Sequence, residues 1–184
     1  MRLHVAPTHE LEHATLAAVR RLLVDVFGPS RGRSDDDFTE QDWQHSLGGV
    51  HVVAFEGDDV IGHASVVQRA MIAEARTWRV GYVEGVGVRS DHQRRGIGGE
   101  MMAVLEGVIE RAFDLGALSA SDAAVPLYEG RGWVLWRGPL SALTPDGVVP
   151  TPDEAGGVYV WNVRDQGLDV ASGLTCDWRA GDLW

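Results

Sequence analysis

Residues 83–100 read VEGVGVRSDHQRRGIGGE, which places a glycine-containing strand, a basic glycine loop and the start of a helix in a row. Glycines let backbone N–H groups crowd together, and a helix N-terminus adds a partial positive charge, so this order favours an anion such as a pyrophosphate. Arg94 and Arg95 lie in the loop. Its spacing, Q-x-x-G-x-G-G, matches neither a P-loop nor a dinucleotide fingerprint.

The rest of the 184 residues alternates β-rich runs with helical periodicity, which predicts one domain over 1–184 with a mixed α/β (α+β) sheet. The predicted strands are 2–6, 50–69 as a hairpin turning at 57–59, 78–88, 117–121, 133–143 and 158–163. The predicted helices are 9–27, a short one capped by Thr39 and ending at Gly48, 98–113 and 122–132. A proline-rich loop is expected at 144–157.

The formal net charge of −11 argues against a nucleic-acid partner, because such binding depends on neutralising phosphates, and it suits a cationic partner. The acids cluster in three segments: Asp35, Asp36, Asp37, Glu40 and Asp42; Asp153 and Glu154; Asp177 and Asp182. Each acid alone is typical of solvated surface. Together beside a reaction centre, the three segments would form a cleft for a polyamine.

Several classes of protein are disfavoured by what the sequence lacks. Cys176 is the single cysteine, so no intrachain disulfide can form. The start of the chain has no leader-like apolar run, and no segment approaches membrane-spanning length, so we expect a soluble cytoplasmic protein without a membrane partner. The histidines at 45, 51, 63 and 92 show no ligand spacing, and no metal site is predicted.

The glycine loop and its flanks together resemble the acetyl-CoA signature of the GCN5-related N-acetyltransferase (GNAT) superfamily. The bulge-prone strand VEGVGV precedes the loop, and LYEGRGW at 127–133 follows a later short strand, in the order that such folds show. The resemblance implies a central mixed, mostly antiparallel, splayed sheet flanked by helices, with a cofactor-binding core at about 50–135. The implied acetyl-CoA-binding residues are Val86, Gly87, Val88, Gln93, Arg94, Arg95, Gly96, Ile97, Gly98 and Gly99.

The resemblance also implies catalytic roles that physical chemistry makes reasonable. The backbone N–H of Val86 would face the thioester carbonyl, although Val86 is also explained as strand packing. Tyr128 would return a proton to the departing thiolate, or it is simply a core tyrosine. Glu84 would accept the amine proton directly or through water, or it would form an ion pair with Arg79 or Arg89.

Longer stretches are similar to the aminoglycoside 2′-N-acetyltransferases of actinobacteria: DFTEQDW at 37–43, GYVEGV at 81–86, GALSAS at 116–121, TPDE at 151–154 and CDWRAGDLW at 176–184. This resemblance implies acetylation of the 2′-amine, drug resistance and a homodimer. The implied substrate-binding residues are Asp37, Asp42, Glu84, Gly85, Ser119, Asp153, Glu154, Asp182 and Trp184, in segments at about 28–48 and 145–184. The terminal carboxylate of Trp184 is also assigned a part in catalysis.

Two departures and two alternatives accompany this assignment. Glu154 is one methylene longer than the acid expected there, and the segment 29–36 is longer than expected. A GNAT enzyme for another cationic amine, such as a cell-wall precursor or a polyamine, is one alternative. A non-catalytic aminoglycoside-binding module is the other. The last nine residues, 176–184, are called the closing segment. Its apolar residues Trp178, Leu183 and Trp184 are expected to anchor it.

Overall fold

A computed structural model describes residues 1–28, 38–163 and 166–184. The chain forms two compact units, one from Met1–Val67 with Val83–Gly107 and one from Gln68–Tyr82 with Val108–Trp184. The strands are β1 (Arg2–Pro7), β2 (Val50–Glu56), β3 (Asp59–Ala73), β4 (Arg76–Val88), β5 (Leu115–Ser119), β6 (Val134–Leu135), β7 (Leu140–Thr144), β8 (Gly147–Pro150), β9 (Val158–Trp161) and β10 (Leu174–Cys176). The helices are α1 (His13–Phe27), α2 (Glu40–His45), α3 (Ile97–Ala112) and α4 (Val125–Glu129).

The first unit is built on antiparallel pairing of β1 with β2 and of β2 with β3. β2 is buried continuously over residues 51–55 and β3 over 61–67, so both faces of this hairpin are covered, while helical spacing buries a stripe of α1. The resulting core contains Val19 and Leu23 from α1, Trp43 from α2, and Val53 and Phe55 from β2. This hairpin and both helices were predicted.

Helix α1 begins at His13, four residues later than the predicted start at His9. Thr8–Glu10 forms a 3₁₀ turn instead, and Leu11 is extended yet buried. The Thr8 hydroxyl oxygen accepts the N–H of Gly48 at 2.8 Å, so this residue is committed to a tertiary contact. This tertiary contact explains why the helix does not extend back to Leu11.

Helix α2 begins as predicted, with Thr39 as its N-cap. The Thr39 hydroxyl oxygen accepts the Asp42 N–H at 3.2 Å, and Asp42 Oδ2 accepts the Thr39 N–H at 2.7 Å. This reciprocal capping box satisfies two donors that the helix end would otherwise leave without acceptors. Asp42 therefore has a structural role in the first turn.

The second unit contains residues 68–73 of β3, residues 76–82 of β4 and the strands β5 to β10. The strand order of this mixed sheet is β6-β9-β5-β4-β3-β10-β7-β8. Within it, β4 pairs with β5 and β7 with β10 in parallel, and the other recorded pairings are antiparallel. Together with the flanking helices, this mixed sheet confirms the predicted fold class. Within the described ranges, no helix is both long enough and apolar enough to cross a bilayer.

Several predicted boundaries in this unit were wrong. The predicted strand 133–143 is two strands, because the N–H groups of Arg137 and Gly138 turn away and donate to the Val170 carbonyl at 2.8 and 3.0 Å. The predicted loop 144–157 contains β8, which pairs with β7, and a 3₁₀ turn over Pro152–Glu154. β10 was not predicted, β5 lies two residues earlier than expected, and α4 is shorter.

We expect Gly138→Ala to destabilise the fold, because a Cβ there would lie 1.7 Å from the Ser172 carbonyl oxygen. Backbone must shift to relieve this overlap, and the expected loss is about 2 kcal/mol or more of unfolding free energy. Urea denaturation measures it. Gly157→Ala is the control, since its Cβ would meet its nearest atom at 3.5 Å. Equal losses of unfolding free energy in the two variants would contradict the predicted overlap between a Cβ at position 138 and the Ser172 carbonyl.

Candidate active site

The loop before α3 has the conformation of an anion site. Arg94 and Gly96 have positive φ angles, +59° and +84°, which turn the chain sharply into the helix. The first helical hydrogen bond runs from the Glu100 N–H to the Gly96 carbonyl at 3.0 Å. Amides before Glu100 therefore lack an acceptor within the helix. With Arg94 and Arg95 exposed beside them, these groups suit a pyrophosphate in shape and charge.

Side chains of the same loop fix its position. The Gln93 amide donates to the Val88 carbonyl at 3.0 Å and ties the loop to the end of β4. Ile97 is buried, and its side chain lies close to Gly62 of β3. Gln93 and Ile97 thus hold the loop. The groups that remain for an anion are backbone N–H groups and the two arginines.

The Glu84-Gly85-Val86 segment departs from regular strand geometry. Gly85 has φ of +57°, and its carbonyl accepts a hydrogen bond from His63 Nδ1 at 2.8 Å. The Ser65 hydroxyl donates to the Glu84 carbonyl at 3.3 Å. Glu84 and Val86 are half-buried. The segment is a bulge whose peptides are held by side chains of β3.

The arginines considered as partners of Glu84 have acidic neighbours of their own. Arg89 Nε pairs with Asp91 at 2.8 Å. The Arg79 guanidinium lies 3.9 Å from Asp114.

Two histidines that the sequence left scattered lie in contact inside the first unit. His51 Nδ1 is 2.9 Å from His63 Nε2, and both side chains are fully buried. Antiparallel pairing of β2 and β3 sets Val53 opposite His63, which makes the two histidines diagonal neighbours on one face. The hairpin register is the signal that could have found them. Thr8 Oγ1, 2.8 Å from His51 Nε2, extends the chain of contacts.

Burial lowers the pKa of His51 to about 4 and that of His63 to about 3. Both values lie below the ordinary histidine value of about 6.5, so below that pH the unfolded chain binds protons that the folded protein does not. The stabilisation is fully present above pH 6.5 and is lost as pH falls toward 4. The pKa of His92 is raised, first by Asp91 and then by Glu56, so its contribution has the opposite sign: it is present at low pH and is lost as pH rises through the raised pKa.

We therefore expect the unfolding free energy to fall steeply between pH 6.5 and 4.5, by up to about 1.4 kcal/mol per pH unit for each histidine. Urea unfolding at several pH values measures this slope. His51→Asn should flatten it. His9→Gln, at an exposed position, should leave it unchanged. A slope that His51→Asn does not alter would show that other groups cause the acid sensitivity.

Tyr128 lies in the second unit on α4 and is buried. Its ring centroid is 6.2 Å from that of Trp133, at an interplanar angle of 59°. Burial raises the pKa of Tyr128 to about 12. At physiological pH the phenol therefore holds its proton, as a proton donor must.

In the second unit, carboxylates of the 151–154 segment and of the closing segment repel one another electrostatically. Burial first, and then the carboxylates of Asp182 and Asp153, raise the pKa of Glu154, while Arg179 opposes the shift. Ser119 and Asp153 are exposed, and Glu154 is half-buried. Clustered carboxylates that disfavour one another's charge would gain from a cationic ligand.

The closing segment is held by its own hydrogen bonds. Arg179 Nε donates to the Asp182 carbonyl at 2.6 Å, and Arg179 Nη2 donates to the Trp184 backbone oxygen at 2.8 Å. The Trp184 N–H donates to Asp182 Oδ1 at 3.1 Å, and its indole N–H donates to Thr151 at 2.9 Å. Trp184 is buried and anchors the segment as expected. Trp178 is 53% exposed, so the expected anchoring role was wrong for that residue.

An ion pair between a buried arginine and a half-buried aspartate lies at the end of β10, where the closing segment begins. Arg69 Nε pairs with Asp177 Oδ1 at 2.8 Å, and the Ala70 N–H donates to Asp177 Oδ2 at 3.1 Å. Asp177 is thus committed to the fold, unlike the acids around Glu154.

The predicted site residues divide between the two units. Asp42, Glu84, Gly85, Val86, Gly87, Val88, Gln93, Arg94, Arg95, Gly96, Ile97, Gly98 and Gly99 belong to the first, and Ser119, Tyr128, Asp153, Glu154, Asp182 and Trp184 belong to the second. Asp37 and the segment 29–36 lie outside the described residues. Among the residues that the structure describes, no group of three His, Cys, Asp or Glu side chains could hold a metal ion.

Comparison with known proteins identifies the family. The model of the Acetyltransferase (GNAT) family matches residues 16–133. The chain is 40% identical, over 96% of its own length and 89% of the relative's, to an aminoglycoside 2′-N-acetyltransferase from Mycolicibacterium fortuitum. This chain belongs to the GNAT family of acetyltransferases. The predicted family and enzyme class are thereby confirmed.

Solved structures show the same fold at low sequence identity. YhbS, a GNAT family N-acetyltransferase from Escherichia coli in complex with CoA, is 14% identical and matches with a TM-score of 0.64, over 97% of this chain and 89% of that one. Eis1 from Mycobacterium abscessus is 16% identical with a TM-score of 0.59, over 77% of this chain. The present chain spans 33% of Eis1.

Proposed function

We propose that this protein transfers an acetyl group from acetyl-CoA to the 2′-amine of aminoglycosides and thereby confers resistance to them. The observation that carries the proposal is the 40% identity, over nearly the whole chain, to a relative named for this activity. The resemblance further implies a homodimer in the cytoplasm, and we retain both features as part of the proposal.

Backbone atoms provide most of the proposed cofactor site. Acetyl-CoA supplies an acetyl group activated as a thioester. Amides at the start of α3, with Arg94 and Arg95, bind its pyrophosphate, and the backbone of Val86, Gly87 and Val88 holds its pantetheine arm as an added strand. The left-handed φ angles of Arg94 and Gly96 support this assignment, because they turn the loop sharply into the first turn of α3.

Glu84 and Val86 are proposed to act at the reacting centre. Glu84 accepts the proton of the attacking amine through a water molecule, and the Val86 N–H donates to the thioester carbonyl. Tyr128 donates a proton to the departing thiolate. The resemblance assigns this step to Tyr128, a buried phenol that is protonated at neutral pH.

Carboxylates are proposed to bind the cationic antibiotic. Ser119, Asp153, Glu154, Asp182 and Trp184 contribute from the second unit, and Asp37, Gly85 and Glu84 are assigned by the resemblance. The mutual repulsion that raises the pKa of Glu154 supports this role, because binding an ammonium group would relieve it. Asp42 is proposed to act chiefly through the helix that it caps.

The substrate is tested with a matched pair of antibiotics, kanamycin B with an amine and kanamycin A with a hydroxyl at the 2′ position. We expect thiol release from acetyl-CoA with kanamycin B, gentamicin, tobramycin and ribostamycin, and little with kanamycin A. A thiol-reactive dye follows the reaction, and mass spectrometry locates the acetyl group. Equal turnover of both kanamycins would point to another amine or to hydroxyl acetylation.

Replacing Glu84 by glutamine keeps the shape of the side chain but removes the base. We expect kcat to fall about 10²-fold or more, with a much smaller change in antibiotic affinity. Steady-state kinetics and calorimetric titration measure the two effects. Glu10→Gln, an exposed neutralisation in the same unit, is the control. Equal losses in kcat and affinity for Glu84→Gln would favour a binding module over an enzyme.

A further inference from the structure

Two successive carbonyls of β4 are held by two side chains of β3. His63 donates to the Gly85 carbonyl and Ser65 to the Glu84 carbonyl. His63 and Ser65 are two residues apart on a strand, so their side chains lie on the same face. Successive carbonyls of a regular strand point in opposite directions, and the left-handed φ of Gly85 is what turns both toward one face.

The carbonyl of Gly85 and the N–H of Val86 belong to the same peptide group. That group is planar and trans, so its C=O and N–H point in opposite directions. A hydrogen bond that fixes the oxygen therefore fixes the direction of the N–H. It also polarises the peptide, which strengthens the N–H as a donor.

The contacts of His63 determine which ring nitrogens carry protons. A carbonyl oxygen can only accept, so His63 Nδ1 carries hydrogen and, in the neutral ring, its Nε2 accepts. His51 Nδ1 must then donate to His63 Nε2, and His51 Nε2 accepts from the Thr8 hydroxyl. The 2.8 Å distance to His51 Nε2 makes it a closer acceptor for that single proton than the Gly49 carbonyl at 3.4 Å. The Gly48 N–H donates to Thr8 in turn. The four hydrogen bonds therefore all point the same way along the chain of contacts, from the Gly48 N–H at one end to the Gly85 carbonyl at the other.

We propose that His63 is a positioning residue that aims the Val86 N–H by holding the Gly85 carbonyl, with His51 and Thr8 fixing its tautomer. The proposal rests on the proposed function, in which this N–H donates to the thioester carbonyl. His63 does not touch the reacting atoms. Because the chain of contacts ends at a carbonyl, which takes up no proton, it orients a peptide and does not conduct protons to the base.

The packing around Gly85 leaves the Gly85–Val86 peptide group little room to change its orientation. His63 has no solvent exposure. A Cβ on Gly85 would meet the Ser46 hydroxyl at 3.1 Å, His63 Nδ1 at 3.2 Å and a methyl group of Leu23 at 3.2 Å. Water therefore has little room beside the Gly85 carbonyl as long as a side chain of similar size occupies position 63.

Asparagine and glutamine at position 63 form a matched pair for the test. The asparagine amide can occupy the place of Nδ1 and keep a donor for Gly85, whereas the glutamine amide reaches the place of Nε2 and loses it. We expect His63→Asn to keep kcat within about threefold of wild type. His63→Gln should lower kcat roughly 10- to 100-fold, less than outright removal of an oxyanion donor, with KM for the amine nearly unchanged.

Val53→Ala controls for general destabilisation, because Val53 is buried opposite His63 and makes no polar contact with Gly85. Thermal unfolding places the three variants on one stability scale. A kcat for His63→Gln no lower than that of Val53→Ala, or equal kcat values for the asparagine and glutamine variants, would overturn the proposal.

Nuclear magnetic resonance of the free protein tests the geometry without activity. Long-range ¹H–¹⁵N spectra should show the Nδ1–H tautomer for both His51 and His63 at pH 7. The Val86 amide resonance should move in His63→Gln and stay near its wild-type position in His63→Asn. An Nε2–H tautomer for His63, or a Val86 resonance equally displaced in both variants, would refute the role.

The two proposals fail in different ways. If wild-type protein acetylates no aminoglycoside but acetylates another amine, the proposed substrate is wrong, and the variants are compared on that amine. If wild-type protein acetylates aminoglycosides and the position 63 variants do not separate, the positioning role alone is wrong. Calorimetric titration with CoA shows that each variant retains its cofactor site.

Discussion

A left-handed glycine within β4 is the constraint on which the candidate chemistry of the first unit depends. Gly85 adopts φ of +57°, and the space that a Cβ would need is already filled by Ser46, His63 and Leu23. The turn takes the flanking peptides out of regular strand geometry, so their carbonyls need other partners, because a buried carbonyl without a donor is costly. Ser65 and His63 meet that need, and the same bonds give the peptides a fixed direction.

The acids of this chain have different roles, which the net charge of −11 conceals. Asp42 caps α2, Asp177 pairs with the buried Arg69, and Asp91 pairs with Arg89. These carboxylates already have partners in the fold. Glu154, by contrast, is held among acids that raise its pKa, with Arg179 as partial compensation. An excess of negative charge without full compensation is what a cationic substrate would require, and the 151–154 and closing segments contain such an excess.

The features that could be predicted from the sequence are those that depend on residues close together along the chain. The cap at Thr39 and the glycine loop before α3 follow from residues a few positions apart, and both were predicted. β10 is three residues long and exists because Met71 and Leu140 belong to strands on either side of it, a non-local circumstance. The contact of His51 with His63 depends on the register of β2 and β3. Spacing along the chain suggested only that these histidines were not metal ligands.

The proposed cofactor site is made largely of peptide groups and therefore makes few demands on side-chain identity. Every residue except proline supplies an N–H. Side-chain identity matters most where a peptide must be turned or held, as at Gly85, Gly96 and His63. The neutral histidine pair has a cost, since both rings must stay uncharged in the interior and the fold becomes sensitive to acid. That cost is reasonable if the orientation of one N–H controls the rate of acetyl transfer.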